Sequence, residues 1–175
     1  MAAPEYRFLD SWLVPHPIEA VYELMSDVHG YPTWWGDVWD STSGHSGPPA
    51  PGTRTQVVAH GYLPYRLRYE FECVAVDRPH RIDSILHGDF EGAAALLFEV
   101  VDGGTSVTLD FRPRVNKRGV RQLTPLLRPL FRSNHAWAMR RGEKHISEHL
   151  QAQAASLGPA TAGDEPESSH VFETR

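Results

Sequence analysis

The chain has 175 residues, of which 41% are hydrophobic and 22% charged, with a formal net charge of −5 at pH 7. These values are ordinary for one globular domain, and a chain of this length buries about two-thirds of its unfolded surface. The negative balance leaves no broad basic surface for a phosphate backbone, so no nucleic-acid partner is expected. No apolar run is long enough to cross a bilayer, so we expect no stable membrane insertion.

Cysteine usage and the N-terminal residues indicate the compartment. Cys73 is the single cysteine, so the chain cannot form an internal disulfide, which fits a reducing environment. The first residues lack the charged and then apolar pattern of a secretory signal. We therefore expect a cytoplasmic protein.

The first elements are a strand and two short helices. Residues 6–14 are aromatic or apolar at alternate positions, which predicts a strand with Asp10 as its polar exception. Pro17 is typical of a first helical turn, and the apolar positions that follow predict a helix ending near Asp27. The aromatic segment 31–35 predicts a second short helix or a turn.

From Val38 onward the apolar period becomes two, which predicts a sheet. Segment 43–52 is rich in glycine and proline and predicts a loop, and 102–105 predicts a tight hairpin turn. Parity does not decide whether His87 and Asp89 face the interior or solvent. Strands are predicted at residues 53–60, 65–76, 81–87, 90–101 and 106–115.

A period of 3.6 over residues 120–151 predicts a long closing helix. Thr124 and Pro125 are typical of a cap and a first helical residue, and Pro129 predicts a kink or a second start. From 130 to 150 the helix should be unbroken. Residues 1–155 are predicted to form a single domain, followed by an acidic, disordered tail over 156–175.

The apolar face of this helix is interrupted by polar side chains. Helical spacing places Phe131 and Ala138 on the inward face, with Asn134, His135 and Arg141 at its flanks. Two further histidines of the helix fall nearer the centre of that face, at His145 and His149. Each histidine is either a proton-transfer group or a structural residue bonded to a carbonyl or to water at a rim.

Several segments together resemble a known superfamily. They are WLVPHPIEAVYEL at 12–24, Asp27-Val28, YPTWW at 31–35, GDFEG at 88–92, GTSVT at 104–108 and the closing helix. Over residues 5–152 the chain resembles the START-like superfamily, which includes the birch-pollen-allergen fold and the bacterial polyketide cyclase/dehydrase (SRPBCC) proteins. The resemblance implies an α+β helix-grip fold: a curved antiparallel sheet of about seven strands wrapped around a long C-terminal helix, with two short helices after the first strand.

The helix-grip fold implies a cavity between sheet and helix. Trp34, Trp35 and Trp39 are either an aromatic wall of that cavity or plain core. On the apolar face of the second predicted strand, Tyr65 and Tyr69 bring phenols that need partners when buried. Asp10 and Arg141 could pair inside. The predicted ligand-binding residues are Trp34, Trp35, Tyr65, Phe71, Phe131, Ala138 and Arg141.

Two functions follow from the resemblance. The first is a cofactor-independent cyclase, aromatase or lyase, in which His135 transfers a proton and Asn134 and Tyr69 bind the developing oxyanion. The second is a non-catalytic carrier or sensor of a hydrophobic ligand or lipid. Neither requires a metal or another cofactor, and no zinc, dinucleotide or P-loop motif is present. The predicted partner is a hydrophobic small molecule, and the protein is expected to be a monomer or a homodimer.

Overall fold

The computed structural model describes residues 6–116 and 120–156, with the side chains of 6–116 and 128–156. A seven-stranded sheet curls around one long helix. The helices are α1 (Ile18–Ser26), α2 (Tyr31–Trp34) and α3 (Val120–Ser156), with a 3-10 turn at Val28–Gly30 between the first two. The strands are β1 (Phe8–Val14), β2 (Trp39–Gly44), β3 (Arg54–His60), β4 (Arg66–Asp77), β5 (Arg81–Gly88), β6 (Phe90–Val101) and β7 (Gly104–Val115).

All neighbouring strands pair antiparallel, in the order β1-β7-β6-β5-β4-β3-β2. The register shifts between Trp39 and Ser41 and again between Cys73 and Ala75. Extra residues of this kind bend a strand and increase its twist. They lie in β2 and β4, where the sheet must curve to reach around α3.

The inward face of α3 repeats with the period expected of a surface helix. Ala138, Ile146 and Leu150 are buried, and Gly142 lies between them on the same face. The predicted inward positions Ala138, Gly142 and Ile146 are therefore confirmed. This part of α3 packs against α1, α2 and β1, which close one end of the sheet.

The start of α3 differs from the prediction. The chain is helical from Val120, so Thr124 and Pro125 lie inside the helix and are not its cap and first residue. Pro129 does not divide the helix into two elements either. Within the first four residues of a helix, a proline removes no internal hydrogen bond. Pro129 lies deeper in the helix and does remove one. Packing of the following turns on the sheet offsets that loss.

The predicted helix-grip fold is confirmed by this architecture. The predicted loop 43–52 is shorter than expected because β2 continues to Gly44, which pairs with Thr55. The predicted tail lies outside the described residues apart from Ser156, which is the last residue of α3. Among the described residues, no helix is long and apolar enough to cross a membrane.

Candidate ligand cavity

A cavity of about 190 Å³ lies between the concave face of the sheet and α3. Most of its lining is aromatic or aliphatic, with a small number of polar groups, which is the usual make-up of a small-molecule site. Rings from the α2 region and from β4, β6 and β7 form its walls. They include Tyr31, Trp35, Trp39, Tyr65, Tyr69, Phe71, Phe90 and Phe111.

The rings of one wall contact one another directly. The Trp39 ring lies 6.3 Å from that of Tyr69 and 6.1 Å from that of Phe71, and Tyr69 lies 5.3 Å from Phe90. Their planes are tilted by 39° to 56°, so none of these pairs is a face-to-face sandwich, the arrangement that aromatic pairs disfavour. This wall is therefore both core and cavity surface, so the two interpretations of the aromatic residues apply together.

His135 is a polar group of the cavity lining, and Asp10 is its partner. Nε2 of His135 lies 2.7 Å from Oδ2 of Asp10, and the exposed fractions of the two side chains are only 12% and 23%. The imidazole stacks on Phe8 with a ring separation of 3.9 Å and lies parallel to Phe111 at 5.9 Å. Two phenyl rings and one carboxylate therefore fix the orientation of this imidazole.

The alternation of β1 explains how Asp10 reaches this position. Phe8, Asp10 and Trp12 share the inward parity of the strand, and β1 lies beside α3 in the fold. The predicted partner of Asp10 was wrong, because Asp10 pairs with His135 and not with Arg141. A carboxylate on the inward face of a strand is costly unless it accepts hydrogen bonds, and His135 supplies one.

The pairing determines which nitrogen of His135 is available. A carboxylate accepts, so Nε2 carries the proton, and the neutral imidazole then has its lone pair on Nδ1. Among the described residues, His135 has no second hydrogen-bond partner. His135 lines the cavity, and its Nδ1 is thus an acceptor left for a ligand or a substrate proton.

Asn134, the neighbour of His135, is bound to the hairpin between β3 and β4. Its side-chain Oδ1 accepts a hydrogen bond from the backbone N–H of Leu63 at 3.3 Å. The amide lies so close to Gly61 that a Cβ at that position would overlap it. Asn134 lines the cavity, but its carbonyl oxygen already serves to hold this hairpin against α3.

Two tyrosines bring hydroxyl groups to the cavity. Tyr69 is buried, and burial raises the pKa of its hydroxyl far above the usual value; burial also raises the pKa of Tyr65 to about 12. Both phenols therefore stay protonated at neutral pH and can donate hydrogen bonds. The Tyr69 hydroxyl has no partner in the described part of the chain, so its proton is available to a ligand.

One protein-family model matches most of the chain. The model described as polyketide cyclase/dehydrase and lipid transport matches residues 8–151. The chain belongs to this family. The resemblance inferred from its motifs is confirmed, and a search of curated proteins gave no match.

Solved structures share the fold of this polyketide cyclase/dehydrase family member. The TTHA0849 protein of Thermus thermophilus is 23% identical with a TM-score of 0.69, covering 86% of this chain and 99% of that one. The ZhuI aromatase/cyclase of Streptomyces sp. R1128 is 9% identical, also at 0.69, covering 90% and 100%. The protein Ara h 8.0201 is 15% identical at 0.57, covering 85% and 99%. At these identities the likeness establishes the fold.

Most of the predicted site residues of this family member border one cavity. Those that line it are His135, Asn134, Tyr69, Trp35, Tyr65, Phe71, Phe131 and Ala138. Trp34 does not line it: its ring is buried behind Trp35, with the ring centres 5.5 Å apart. Arg141 does not line it either, because its guanidinium lies over the Trp137 ring at 4.8 Å and pairs with Asp37 on the outer side.

The remaining polar candidates also lie away from the cavity lining. Nε2 of His145 is 3.7 Å from the Asp37 carboxylate, and His149 is hydrogen-bonded to Gln153. On the outer face of the sheet, His87 contacts Glu72 at 2.8 Å. The Asp89 carboxylate accepts from a backbone N–H in β4. Of the histidines on α3 that the sequence singles out, His135 is the one that reaches the cavity.

Trp39, a candidate for the aromatic wall, lines the cavity from the start of β2. Two further contributors were not predicted as site residues: Asp27, which lines the cavity after α1, and Gly142. Gly142 leaves room for the Trp35 ring, since a Cβ at position 142 would lie 2.5 Å from the indole Cζ2. A glycine inside a helix disfavours that helix and so signals close packing, whereas nothing in the sequence distinguishes Asp27 from a surface acid.

The residues that the structure describes contain no group of three or more histidine, cysteine, aspartate or glutamate side chains that could hold a metal ion. The polar side chains of the lining include the Tyr69 phenol, the Asp27 carboxylate and two imidazoles that each pair with a carboxylate, His135 with Asp10 and His60 with Asp40.

Proposed function

We propose that this protein binds a mostly apolar, ring-containing small molecule in its cavity, and that His135 transfers a proton on that molecule without a cofactor. The observation that supports this most directly is that His135, which lines an aromatic cavity, pairs with Asp10 at 2.7 Å. The reaction class agrees with the family, whose description includes polyketide cyclases and dehydrases.

The proposed first step is removal of a proton from carbon beside a ketone. Nδ1 of His135 takes the proton, the C–H bond breaks, and its electron pair forms an enolate with negative charge on the carbonyl oxygen. The imidazolium that forms is stabilised by Asp10, as in other histidine–carboxylate pairs. The Tyr69 hydroxyl, which stays protonated because burial raises its pKa, donates to the enolate oxygen.

The second step depends on the substrate. If a hydroxyl lies on the next carbon, the imidazolium returns its proton to that hydroxyl and water leaves, which is a dehydration. If a second carbonyl lies within reach, the enolate carbon attacks it, the imidazolium protonates the new alkoxide, and a ring closes. In both cases the imidazole ends the cycle neutral, so no oxidant or reductant is needed.

The second candidate is a carrier that uses the same groups to orient its ligand. The extensive aromatic and aliphatic lining favours it, because binding requires only shape and a few hydrogen bonds. The two candidates differ in one measurable property. A carrier binds a ketone without accelerating the exchange of its α-protons.

The bicyclic ketone 2-tetralone can test both candidates. Its binding is followed by quenching of tryptophan fluorescence, since Trp35 and Trp39 line the cavity. Its enolisation is followed by NMR as the loss of α-proton signal in D2O. The protein should accelerate exchange above a matched imidazole buffer, and His135→Ala should lower that rate about 100-fold, the usual worth of a general base. Affinity for tetralone should change only a few-fold.

Two variants serve as controls for this experiment. His149→Ala removes a histidine of the same helix that contacts Gln153 outside the cavity lining, and should keep the wild-type rate. Asp10→Asn keeps the shape but weakens stabilisation of the imidazolium, so its rate should fall between wild type and His135→Ala. Saturable binding with exchange no faster than buffer would reject catalysis and leave the carrier. Absence of saturable binding would reject both candidates.

A further inference from the structure

One acidic side chain, Asp27, lines the cavity itself, away from the His135–Asp10 pair. Asp27 follows α1 and borders the cavity together with its neighbours Ser26 and His29. Its carboxylate lies near Tyr31, where burial and, to a smaller extent, the Asp27 charge raise the pKa of the Tyr31 hydroxyl. The Tyr31 ring in turn lies 6.0 Å from that of Trp35.

Helix geometry separates the two acids. Trp35 packs at Gly142, seven residues along α3 from His135, which corresponds to about 10 Å at 1.5 Å per residue. Asp27 is associated with Tyr31 and Trp35, whereas Asp10 is associated with Phe8 and His135. The cavity therefore has two polar regions along α3.

The Asp27 carboxylate is not satisfied by the protein. Its Oδ1 atom is buried and has no hydrogen-bond donor among the described residues. The residue also provides no side-chain cap for the 3-10 turn that follows it. A buried carboxylate oxygen without a donor costs free energy, and this cost is recovered when a ligand brings an N–H or O–H group to the carboxylate.

The charge of the cavity lining also favours a ligand group that donates a hydrogen bond to Asp27 over an anionic group. Among the described residues that line the cavity there is no lysine or arginine, Asp27 is the carboxylate, and the imidazoles are those of His29, His45, His60 and His135. The nearby Tyr31 hydroxyl already donates to the Met25 carbonyl oxygen at 2.6 Å. An anionic ligand group at this end would thus meet a carboxylate of the same charge and no lysine or arginine, which disfavours its binding.

The aromatic faces beside Asp27 suit a positive charge. Tyr31, Trp35 and Trp39 all line this region, with ring centres 5.0 Å apart for Tyr31 and Trp39 and 5.8 Å for Trp35 and Trp39. Tryptophan and tyrosine rings attract ammonium groups through their negative faces. A carboxylate and three such rings are a favourable combination for an organic cation.

We propose that Asp27 forms a second polar subsite that takes an ammonium group of the ligand, or more weakly a hydroxyl group, and rejects a carboxylate. The subsite deepens the proposed function, since it assumes that this cavity binds an apolar ligand. The ligand class is then a ring compound with a hydrogen-bond donor at the Asp27 end. Ligands that place a free carboxylate at the Asp27 end are disfavoured.

Three probes of one shape test the subsite: 2-naphthylmethylammonium, 2-naphthylmethanol and 2-naphthoate. Their affinities for the full chain are measured by isothermal titration calorimetry at pH 7. Wild type should bind the ammonium most tightly and the carboxylate most weakly, with at least about tenfold between the two, or about 1.4 kcal/mol. In Asp27→Asn, the ammonium and the alcohol should bind within about twofold of each other, because the amide keeps the shape but not the charge.

Asp37→Asn is the matched control, because this carboxylate pairs with Arg141 outside the cavity lining. It should keep the wild-type order of the three probes. Equal binding of ammonium and carboxylate by wild type would overturn the subsite, as would an unchanged order in Asp27→Asn. In either case the bound alcohol would leave the proposed function intact. If none of the three probes binds, the proposed function fails and the subsite fails with it.

Discussion

The two halves of the inward face of α3 have different surroundings: the first half lines the cavity, and the second half is packed in the core. In the first half, Phe131, His135 and Ala138 border open space. In the second half, Ile146 is fully buried and Leu150 is 4% exposed, and neither lines the cavity. One continuous helix therefore provides both a wall for a ligand and a solid core, and the change between them occurs near Gly142.

The difference comes from what lies opposite each half. Trp35 fills the space against Gly142, and the indole contacts Trp34 on one side and Trp12 on the other. Against His135 lie a phenyl ring and a carboxylate of β1, which leave room beside them. Polar side chains are tolerated in the first half because they find partners there or reach the cavity. In the second half, the apolar residues Ile146 and Leu150 are closely packed, and the polar His145 contacts Asp37 instead of the cavity.

The largest effect is expected where the helix is packed most closely. In Gly142→Ala the new Cβ would lie 2.5 Å from Cζ2 of Trp35, well inside contact distance. Alanine favours a helix by about 1 kcal/mol over glycine, but overpacking of a buried ring costs about 1–3 kcal/mol. We expect a net loss of up to about 2 kcal/mol in the free energy of unfolding, measured by urea denaturation.

The same substitution in a Trp35→Phe background separates the two terms. Phenylalanine lacks the outer indole ring that meets the Cβ, so Gly142→Ala should then be neutral or stabilising. An equal loss of stability in both backgrounds would show that Trp35 does not explain this glycine. The comparison between the two halves of the helix would then need another cause.

Much of the fold could be predicted because period and parity are local properties. Alternation within β4 and the 3.6 period of α3 depend on neighbours in sequence, and both predictions are confirmed. The start of α3 was wrong because Thr124 and Pro125 carry a start signal that the surrounding fold overrides. Capping preferences are worth about 1 kcal/mol, less than the packing of a long helix on a sheet.

The candidate site was less predictable, since its contacts join distant segments. Helical spacing placed His135 near the inward face, but its partner Asp10 is 125 residues away in sequence. The alternation of β1 showed that Asp10 is a polar residue at an apolar position. The folded structure was needed to show that its partner is His135. Asn134 and His135 look alike in the sequence, yet the first holds a hairpin and the second borders the cavity beside Asp10.

A smaller effect is expected at the contact between Asn134 and the β3–β4 hairpin. Asn134→Ala removes the acceptor of the Leu63 N–H, which should lower stability by about 1 kcal/mol. The Leu63 amide should also exchange its hydrogen faster, as measured by NMR. Gly61→Ala should cost a similar amount, because its Cβ would displace the Asn134 amide.

The double variant tests whether these two residues act on each other. With alanine at 134 the space beside Gly61 is open, so adding Gly61→Ala should cost little more. Additive losses in the double variant, or an unchanged Leu63 exchange rate in Asn134→Ala, would show that Asn134 does not hold the hairpin. An oxyanion role for its amide would then regain support.

The smallest effect is expected at Arg141, although the sequence suggested it as a ligand-binding residue. Its side chain is 46% exposed, lies over Trp137 and pairs with Asp37, which is itself partly exposed. Such surface contacts contribute about 1 kcal/mol or less. Arg141→Ala should therefore keep the affinity for 2-tetralone within about twofold, whereas Trp39→Ala, which removes a cavity wall, should weaken it at least about tenfold.

A loss of affinity in Arg141→Ala comparable to that in Trp39→Ala would mean that the outer side of α3 shapes the cavity. The contrast between a lining first half and a packed second half would then be too simple, because Arg141 lies next to Gly142, where the two halves meet.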